Sequence, residues 1–248
     1  MKKNLIDLHS HSVLSKHAYS SITENIEYAS SIGLKVYGIS EHQPDSVDVG
    51  AHEWAINGCF KTAPKEFNET KILVGVELNI LDNGFDLHGV KPNELSYTIA
   101  SMHGYVYSHN HTYDENTKNY IIACETPYVT ILGHIDYPAF PCDYEKVIKS
   151  AKENNKLIEL NNASLDPNGS RKGAKQLDYE ILDLCKKYGV PIVLSSDAHI
   201  KYEIGNVDRC IDLLEETNFP DELVINFNED LFNTYFKYRW FTILEDLL

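Results

Sequence analysis

Apolar, β-branched runs recur along the chain, and each ends in His, Glu or Asp. Leu5-Ile6-Asp7-Leu8 leads to His9-Ser10-His11. Val36-Tyr37-Gly38-Ile39-Ser40 leads to Glu41-His42, and Ile72-Leu73-Val74-Gly75-Val76 to Glu77. Tyr97-Thr98-Ile99-Ala100-Ser101 leads to His103, and Val129-Thr130-Ile131-Leu132 to His134. Ile192-Val193-Leu194-Ser195-Ser196 leads to Asp197-Ala198-His199. Such short apolar runs predict buried strands. Between them the apolar period lengthens to that of a helix. Ser21-Ile22-Thr23-Glu24 has capping-box spacing and opens a helix with Ile26, Ala29 and Ile32 on one side, closed by Gly33. Ala55 to Phe67 is weakly helical and interrupted by Gly58 and Pro64. Asp143 caps a helix carrying Val147, Ile148 and Ala151. Ala174, Leu177, Ile181, Leu184 and Tyr188 keep helical period, and Lys186-Lys187, Gly189 and Pro191 stop that helix. Val207 to Glu216 and Glu229 to Tyr238 also read as helical. The loops are short, with no internal repeat, low-complexity tract or Pro/Ser-rich linker. Strand–helix alternation over this length predicts one α/β domain with a parallel sheet, closed or nearly closed into a barrel. Sites in such barrels lie at the C-terminal ends of the strands.

Charge narrows the partners. The 248 residues carry 22 Lys and Arg against 37 Asp and Glu, a net charge of −15. An acidic surface disfavours nucleic-acid backbones as the main ligand. The cysteines (Cys59, Cys124, Cys142, Cys185, Cys210) show no CxxC spacing and are odd in number. They read as reduced thiols in a cytoplasmic protein. Met1-Lys2-Lys3-Asn4 runs straight into the first strand, with no apolar stretch of signal-peptide or membrane-span length.

The candidate chemistry sits where the apolar runs stop. His9 and His11 are two apart, as are Asp197 and His199, so each pair shares one face of an extended segment. Two imidazoles on one face are costly in a core and well suited to a metal. With His17, His42, Glu77, His103 and His134, the chain offers seven His, one Glu and one Asp near strand ends. Histidine-rich sites with two carboxylates suit zinc, iron or manganese better than magnesium or calcium. Neither G-x-S-x-G nor a P-loop is present. Arg171-Lys172, between strand Leu157–Leu160 and helix Ala174–Tyr188, is a candidate phosphate clamp, since a guanidinium matches two phosphate oxygens. Asn161, Asn162 and Ser164 could line the same mouth. Of the remaining histidines, His109 and His111 read as a polar surface loop, and His52 as a candidate substrate contact.

Several of these stretches resemble the PHP (polymerase and histidinol phosphatase) superfamily, and more narrowly its small stand-alone bacterial phosphatases. They are Asp7-Leu8-His9-Ser10-His11-Ser12, His17-Ala18-Tyr19-Ser20, Ile39-Ser40-Glu41-His42, Gly75-Val76-Glu77-Leu78-Asn79-Ile80, Gly133-His134, Glu159-Leu160-Asn161-Asn162-Ala163-Ser164, Ser170-Arg171-Lys172-Gly173 and Ser195-Ser196-Asp197-Ala198-His199. They span residues 5 to about 215 in order. The resemblance implies a distorted (β/α)7 TIM-like barrel as a single domain over 1–248, completed by a helical C-terminal segment from about 216. It also implies a trinuclear metal centre at the C-terminal rim. His9, His11, Glu77 and Asp197 would hold one ion. Glu77 would bridge to a second ion held by His103 and His134, and His17, His42 and His199 would hold a third. The implied ions are three divalent transition metals, zinc first, with manganese or iron as alternatives. The implied activity is hydrolysis of small phosphomonoesters by a metal-bound hydroxide. Glu77, Asp197 and Arg171 would serve catalysis, and Arg171, Lys172, Asn161 and His52 would contact substrate. Two departures stand out. Glu41 replaces the Asp usual beside His42, and Gly104-Tyr105-Val106-Tyr107 is unlike the family after His103, which bears on substrate choice. A phosphodiesterase or exonuclease of the same fold, and a non-catalytic metal-bearing module, are the alternatives. No membrane partner is expected, and oligomeric state is open.

Overall fold

Alternation of inward and outward side chains organises the sheet. The computed structural model describes residues 4–236 apart from 45, 47, 48, 51, 108 and 109. Its strands are β1 (Ile6–Asp7), β2 (Val36–His42), β3 (Glu66–Phe67), β4 (Thr70–Asn79), β5 (Tyr97–Ser101), β6 (Ile131–Leu132), β7 (Leu157–Asn161) and β8 (Ile192–Ser195). The order is β1-β2-β4-β5-β6-β7-β8, with parallel neighbours throughout, and β3 pairs antiparallel with the start of β4. The helices are α1 (Ile22–Ser31), α2 (Glu53–Thr62), α3 (Tyr113–Glu125), α4 (Tyr144–Glu153), α5 (Ala174–Tyr188) and α6 (Asp208–Thr217). Residues 229–236 are also helical. Tyr238, and the rest of the expected C-terminal helix, lie outside the described residues.

The first and last strands meet at the C-terminal rim. Ser10 bridges Ala198 in parallel, and the His11 amide donates to the Ala198 carbonyl at 2.8 Å. Below this bridge the buried Asp7 carboxylate accepts from the Ser196 hydroxyl (2.5 Å), the Ser196 amide (3.1 Å) and the Gly205 amide (2.7 Å). The seven parallel strands thus form a distorted (β/α)7 barrel. The short β1 and β6 are where its ladder is thinnest.

Strand period sorts the two cores. In β4, Ile72, Val76 and Leu78 pack beneath the helices, whereas Leu73 faces the barrel interior. Gly75, Glu77 and Asn79 follow Leu73 at two-residue steps, so they rise along the inner wall toward the rim. In β7, Ile158 and Leu160 join the outer core and Leu157 the inner one, which sends Glu159 and Asn161 inward. Phe232 and Phe236 stack at 4.6 Å and join Ile6, Val36 and Leu157 in the inner core at the strand starts.

The weakly helical stretch 55–67 is divided. α2 ends before Pro64, which removes a helical donor and pushes its predecessor to extended backbone. Glu66–Phe67 then turns back on β4. The α1 capping box is present, with the Ser21 hydroxyl and the Glu24 carboxylate satisfying each other's amides. Asp143 caps α4. No described helix is long and apolar enough to cross a membrane.

Tyr97 fills the barrel's middle, its hydroxyl donating to the Leu8 carbonyl at 2.6 Å. Two glycines make room for it. A Cβ at Gly38 would stand 2.3 Å from the Tyr97 hydroxyl oxygen, and one at Gly75 2.7 Å from ring carbon Cζ. Gly75→Ala is therefore expected to destabilise the fold by about 1–3 kcal/mol, the usual cost of overpacking. Gly58→Ala in α2, where a Cβ meets nothing within 4 Å, should instead be neutral or stabilising by up to about 1 kcal/mol. Urea unfolding of the two variants checks this, and equal effects would contradict the packing account.

Candidate metal centre

Each candidate ligand stands where a strand stops or just beyond. β1 ends at Asp7, so His9 and His11 lie past it, on the chain that closes the barrel. His42 is the last residue of β2, and Glu77 lies near the end of β4. His103 follows β5 and His134 follows β6. Asp197 and His199 follow β8, and His17 lies in the loop after β1. Two of these positions leave extended backbone, His134 at φ 28° and Asp197 at φ 56°. Side chains with a Cβ rarely take this left-handed form.

Glu77 is the hub. Its Oε1 lies 3.0 Å from His134 Nε2 and 3.2 Å from His103 Nε2. Its Oε2 lies 2.9 Å from His42 Nδ1, 3.4 Å from His9 Nε2 and 3.6 Å from His11 Nε2. Asp197 Oδ1 stands 3.3 Å from His11 Nε2 and 3.5 Å from His9 Nε2. His17 and His199 bring their Nε2 atoms to 2.7 Å, and the His17 ring lies 5.0 Å from that of His42. All nine side chains named from the sequence therefore form one continuous cluster.

Three groups within it have ligand atoms within 4.8 Å of one another: His9–His11–Glu77, His11–His42–His199 and His42–Glu77–His103. The first contains three of the four side chains implied for one ion, and the other two join His11 and His42 to side chains implied for neighbouring ions, so the three groups run into one another.

The electrostatics suit cations. Burial opposes charge on Glu77, yet His103, His9 and His42 hold its carboxyl well below the ordinary range. Burial likewise opposes charge on Asp197, and His9, His11 and Arg171 hold it well down. Burial, with His42 and His199 alongside, pushes the His11 imidazole well below its usual value. Burial and the same two neighbours take His17 down to about 4. Burial also lowers His103, against the pull of Glu77. Neutral imidazole is the form that binds a metal. His9 goes the other way: despite burial, Glu159, Asp197 and Glu77 raise it well above the ordinary range.

The donors also fit a metal by what they lack. His9 Nε2, His11 Nε2, His42 Nε2, His134 Nδ1 and Glu77 Oε2 are buried without hydrogen-bond partners among the described residues. Such atoms cost about 1–3 kcal/mol each when nothing satisfies them. Shared divalent ions would satisfy most of them together, and imidazole plus carboxylate is a transition-metal donor set.

Supporting residues fix the rings. Glu159 accepts from His9 Nδ1 at 2.7 Å and from the His134 amide at 2.8 Å. Asn79 Oδ1 lies 2.8 Å from His103 Nδ1. Glu159 was legible only as part of a family-like stretch. Its sequence signal is its position two residues before Asn161 on a strand whose other face is apolar. The buried Glu41 accepts from the Ser12 amide (3.1 Å) and the Ser15 hydroxyl (2.5 Å), tying down the loop between His11 and His17.

Of the substrate candidates, Arg171 lies at the centre's edge. Its Nη1 donates to Asp197 Oδ2 (3.1 Å), Ser164 Oγ (3.3 Å) and Asn161 Oδ1 (3.5 Å), and its guanidinium sits 5.8 Å from the Tyr137 ring centre. Asn161 is buried rather than at the mouth, because β7 turns it inward to Glu159 and Asp197. Asn162 lines the mouth, whereas Ser164 lies beneath Arg171. Lys172 is exposed, and His52 is exposed at the N-cap of α2; neither lines the cavity over the centre. His111 pairs with Asp82 at 2.6 Å. His109 lies outside the described residues. That cavity holds about 630 Å³ and is walled by Tyr19, Tyr105, Tyr137, Asn162, Arg171 and Arg209 among others.

The PHP domain model matches residues 7–170. A probable phosphatase of Clostridium acetobutylicum is 40% identical over 237 residues, covering 95% of both chains. Among solved structures, the histidinol phosphate phosphatase of Lactococcus lactis, complexed with zinc, L-histidinol and phosphate, aligns with a TM-score of 0.61 at 18% identity, over 88% of this chain and 95% of that one. A chain of archaeal ribonuclease P with mature tRNA aligns at 0.58 and 18% identity, over 94% of this chain and 90% of that one. At such identities the likeness shows the fold. With the family match and the 40% relative, it establishes that this chain belongs to the PHP domain family, among relatives described as probable phosphatases.

Proposed function

We propose that the chain is a metal-dependent phosphoesterase that hydrolyses small phosphomonoesters at a trinuclear centre. The observation that carries this reading is the convergence of nine ligating side chains, several with unpartnered buried atoms, on Glu77 beneath a cavity edged by Arg171. His9, His11, Glu77 and Asp197 would hold one ion. Glu77, His103 and His134 would hold a second, and His17, His42 and His199 a third. When bound, the ions would supply Lewis-acid charge to the phosphoryl oxygens and make water a competent nucleophile near neutral pH. Zinc is the first candidate, which the zinc-bearing Lactococcus lactis relative of the fold supports.

The chain's own residues do the rest. Arg171 pairs with phosphoryl oxygens while Asp197, Asn161 and Ser164 hold its Nη1 edge. Glu159 and Asn79 orient His9 and His103, which fixes the nitrogen each offers. The cavity volume is in the range of small-molecule sites, about 300–1,000 Å³. The catalytic unit extends past the family match at residue 170. Arg171, Asp197 and His199 all lie beyond it, and β8 closes the same barrel, so a single domain accounts for the site. The cysteines are free, four of them buried, which fits a reducing compartment such as the cytoplasm.

Metal analysis with a panel of phosphomonoesters and diesters tests the reading. About three metals per chain, monoester turnover and its loss on EDTA treatment are expected. Substoichiometric metal with EDTA-resistant turnover would exclude it, and preferential diester cleavage would move it to a phosphodiesterase. His9→Ala combined with Glu77→Gln should abolish turnover with the far-UV spectrum retained. Glu159→Gln should weaken metal affinity about 10- to 100-fold, the usual effect of losing a ligand's orienting partner. Equilibrium dialysis measures this, and unchanged affinity would show that Glu159 does not orient His9.

A further inference from the structure

Tyr105 stands two residues past His103. Its ring stacks on the His103 imidazole, with centroids 5.0 Å apart and planes 19° apart. It meets the His42 ring edge-on at 6.2 Å and 86°. These contacts fix the ring and carry its hydroxyl to 3.4 Å from His42 Nδ1, a nitrogen that itself lies 2.9 Å from Glu77 Oε2. The side chain is not a core residue. It remains 37% exposed and forms part of the wall of the cavity over the centre. An aromatic residue kept merely for packing has no reason to present its polar end to a cluster of metal-ligating groups. A phenol there is a neutral donor, which can bond an anionic oxygen without adding a charge that would compete with bound cations. Arg171, the cationic donor at the same cavity, has its Nη1 edge committed to Asp197, Ser164 and Asn161. A second, uncharged donor beside Arg171 would add a directional bond to a tetrahedral phosphoryl group held over the cluster.

We propose that Tyr105 is a substrate-contacting residue whose hydroxyl donates a hydrogen bond to a phosphoryl oxygen bound at this centre. The proposal rests on the phosphoesterase reading of the site. Its test is binding of inorganic phosphate to the zinc-loaded protein, measured by titration calorimetry, with metal content determined on the same samples. Tyr105→Phe keeps the stacked ring and removes only the hydroxyl. Phosphate affinity is expected to fall about 10- to 100-fold, as for loss of a hydrogen bond to a charged group, with metal content unchanged. With p-nitrophenyl phosphate, kcat/KM should fall by a similar factor. Affinity within twofold of the wild type at equal metal content overturns the proposal. So does loss of metal from the variant, which would make Tyr105 a support for His42 and His103, and so does a zinc-loaded wild type that binds no phosphate. If the wild type binds phosphate but hydrolyses no monoester, the phosphatase reading fails, while the affinity comparison still decides the role of Tyr105.

Discussion

Asp7 ties the first strand to the last through Ser196 and Gly205, and the Ser10–Ala198 bridge lies directly above it. This seam closes the barrel, and it also assembles the centre. His9 and His11 leave one side of it, and Asp197 and His199 leave the other. Most of the chain separates the two pairs in sequence. Only closure brings Asp197 Oδ1 within 3.5 Å of both imidazoles. A buried carboxylate that bonds a hydroxyl and the amides of His9, Ser196 and Gly205 makes a directional joint, since each donor must point at an oxygen lone pair. An apolar seam would close the barrel equally well but would leave the two pairs free to slide by a fraction of an ångström. Metal ligation tolerates little of that.

Electrostatics explain why this cluster is paired as it is. Three buried carboxylates, Glu77, Asp197 and Glu159, share one region with seven imidazoles. Without charge compensation such carboxylates would be protonated by burial alone. Instead neighbouring imidazoles pull Glu77 and Glu159 below the ordinary carboxylate range against burial, and Glu159, Asp197 and Glu77 pull His9 up against it. A divalent ion held by His9 would have to displace any proton from the same nitrogen. Metal affinity and protonation of His9 are therefore linked, and each disfavours the other.

The candidate ligands were legible because a parallel barrel puts the C-terminal end of every strand on one rim, so a sequence rule for one strand applies to all. The runs ending at Glu77, His103 and Asp197 each announced both a strand and a candidate ligand. Less was legible where backbone departs from the strand. His134 and Asp197 reach the cluster through positive φ, which no residue pattern encodes. The division of 55–67 into α2 and the β3 turn depended on Pro64 and on pairing with β4, a tertiary partner that helical period cannot report. Asn161 was expected at the mouth because it follows an apolar run. Its inward direction follows from the parity of β7, fixed by Leu157 in the inner core and Ile158 in the outer. The same parity would have singled out Glu159. The exposures of Lys172 and His52 depend on how their loops settle over the rim, and composition carries little information about that.

The net charge of −15 and the proposed anionic substrate are compatible once distance is considered. Exposed charges farther away than a Debye length, about 8 Å at physiological salt, are largely screened. A phosphoryl group inside the cavity would be governed by the few charges it nearly touches, where Arg171 and any bound cations would outweigh the distant surface. Outside the cavity the acidic surface acts on larger partners, whose many phosphates would each meet it. The proposed small phosphoester at one deep site is thus compatible with a surface whose net charge disfavours an extended polyanion. This compatibility is set by charge placement rather than by total charge.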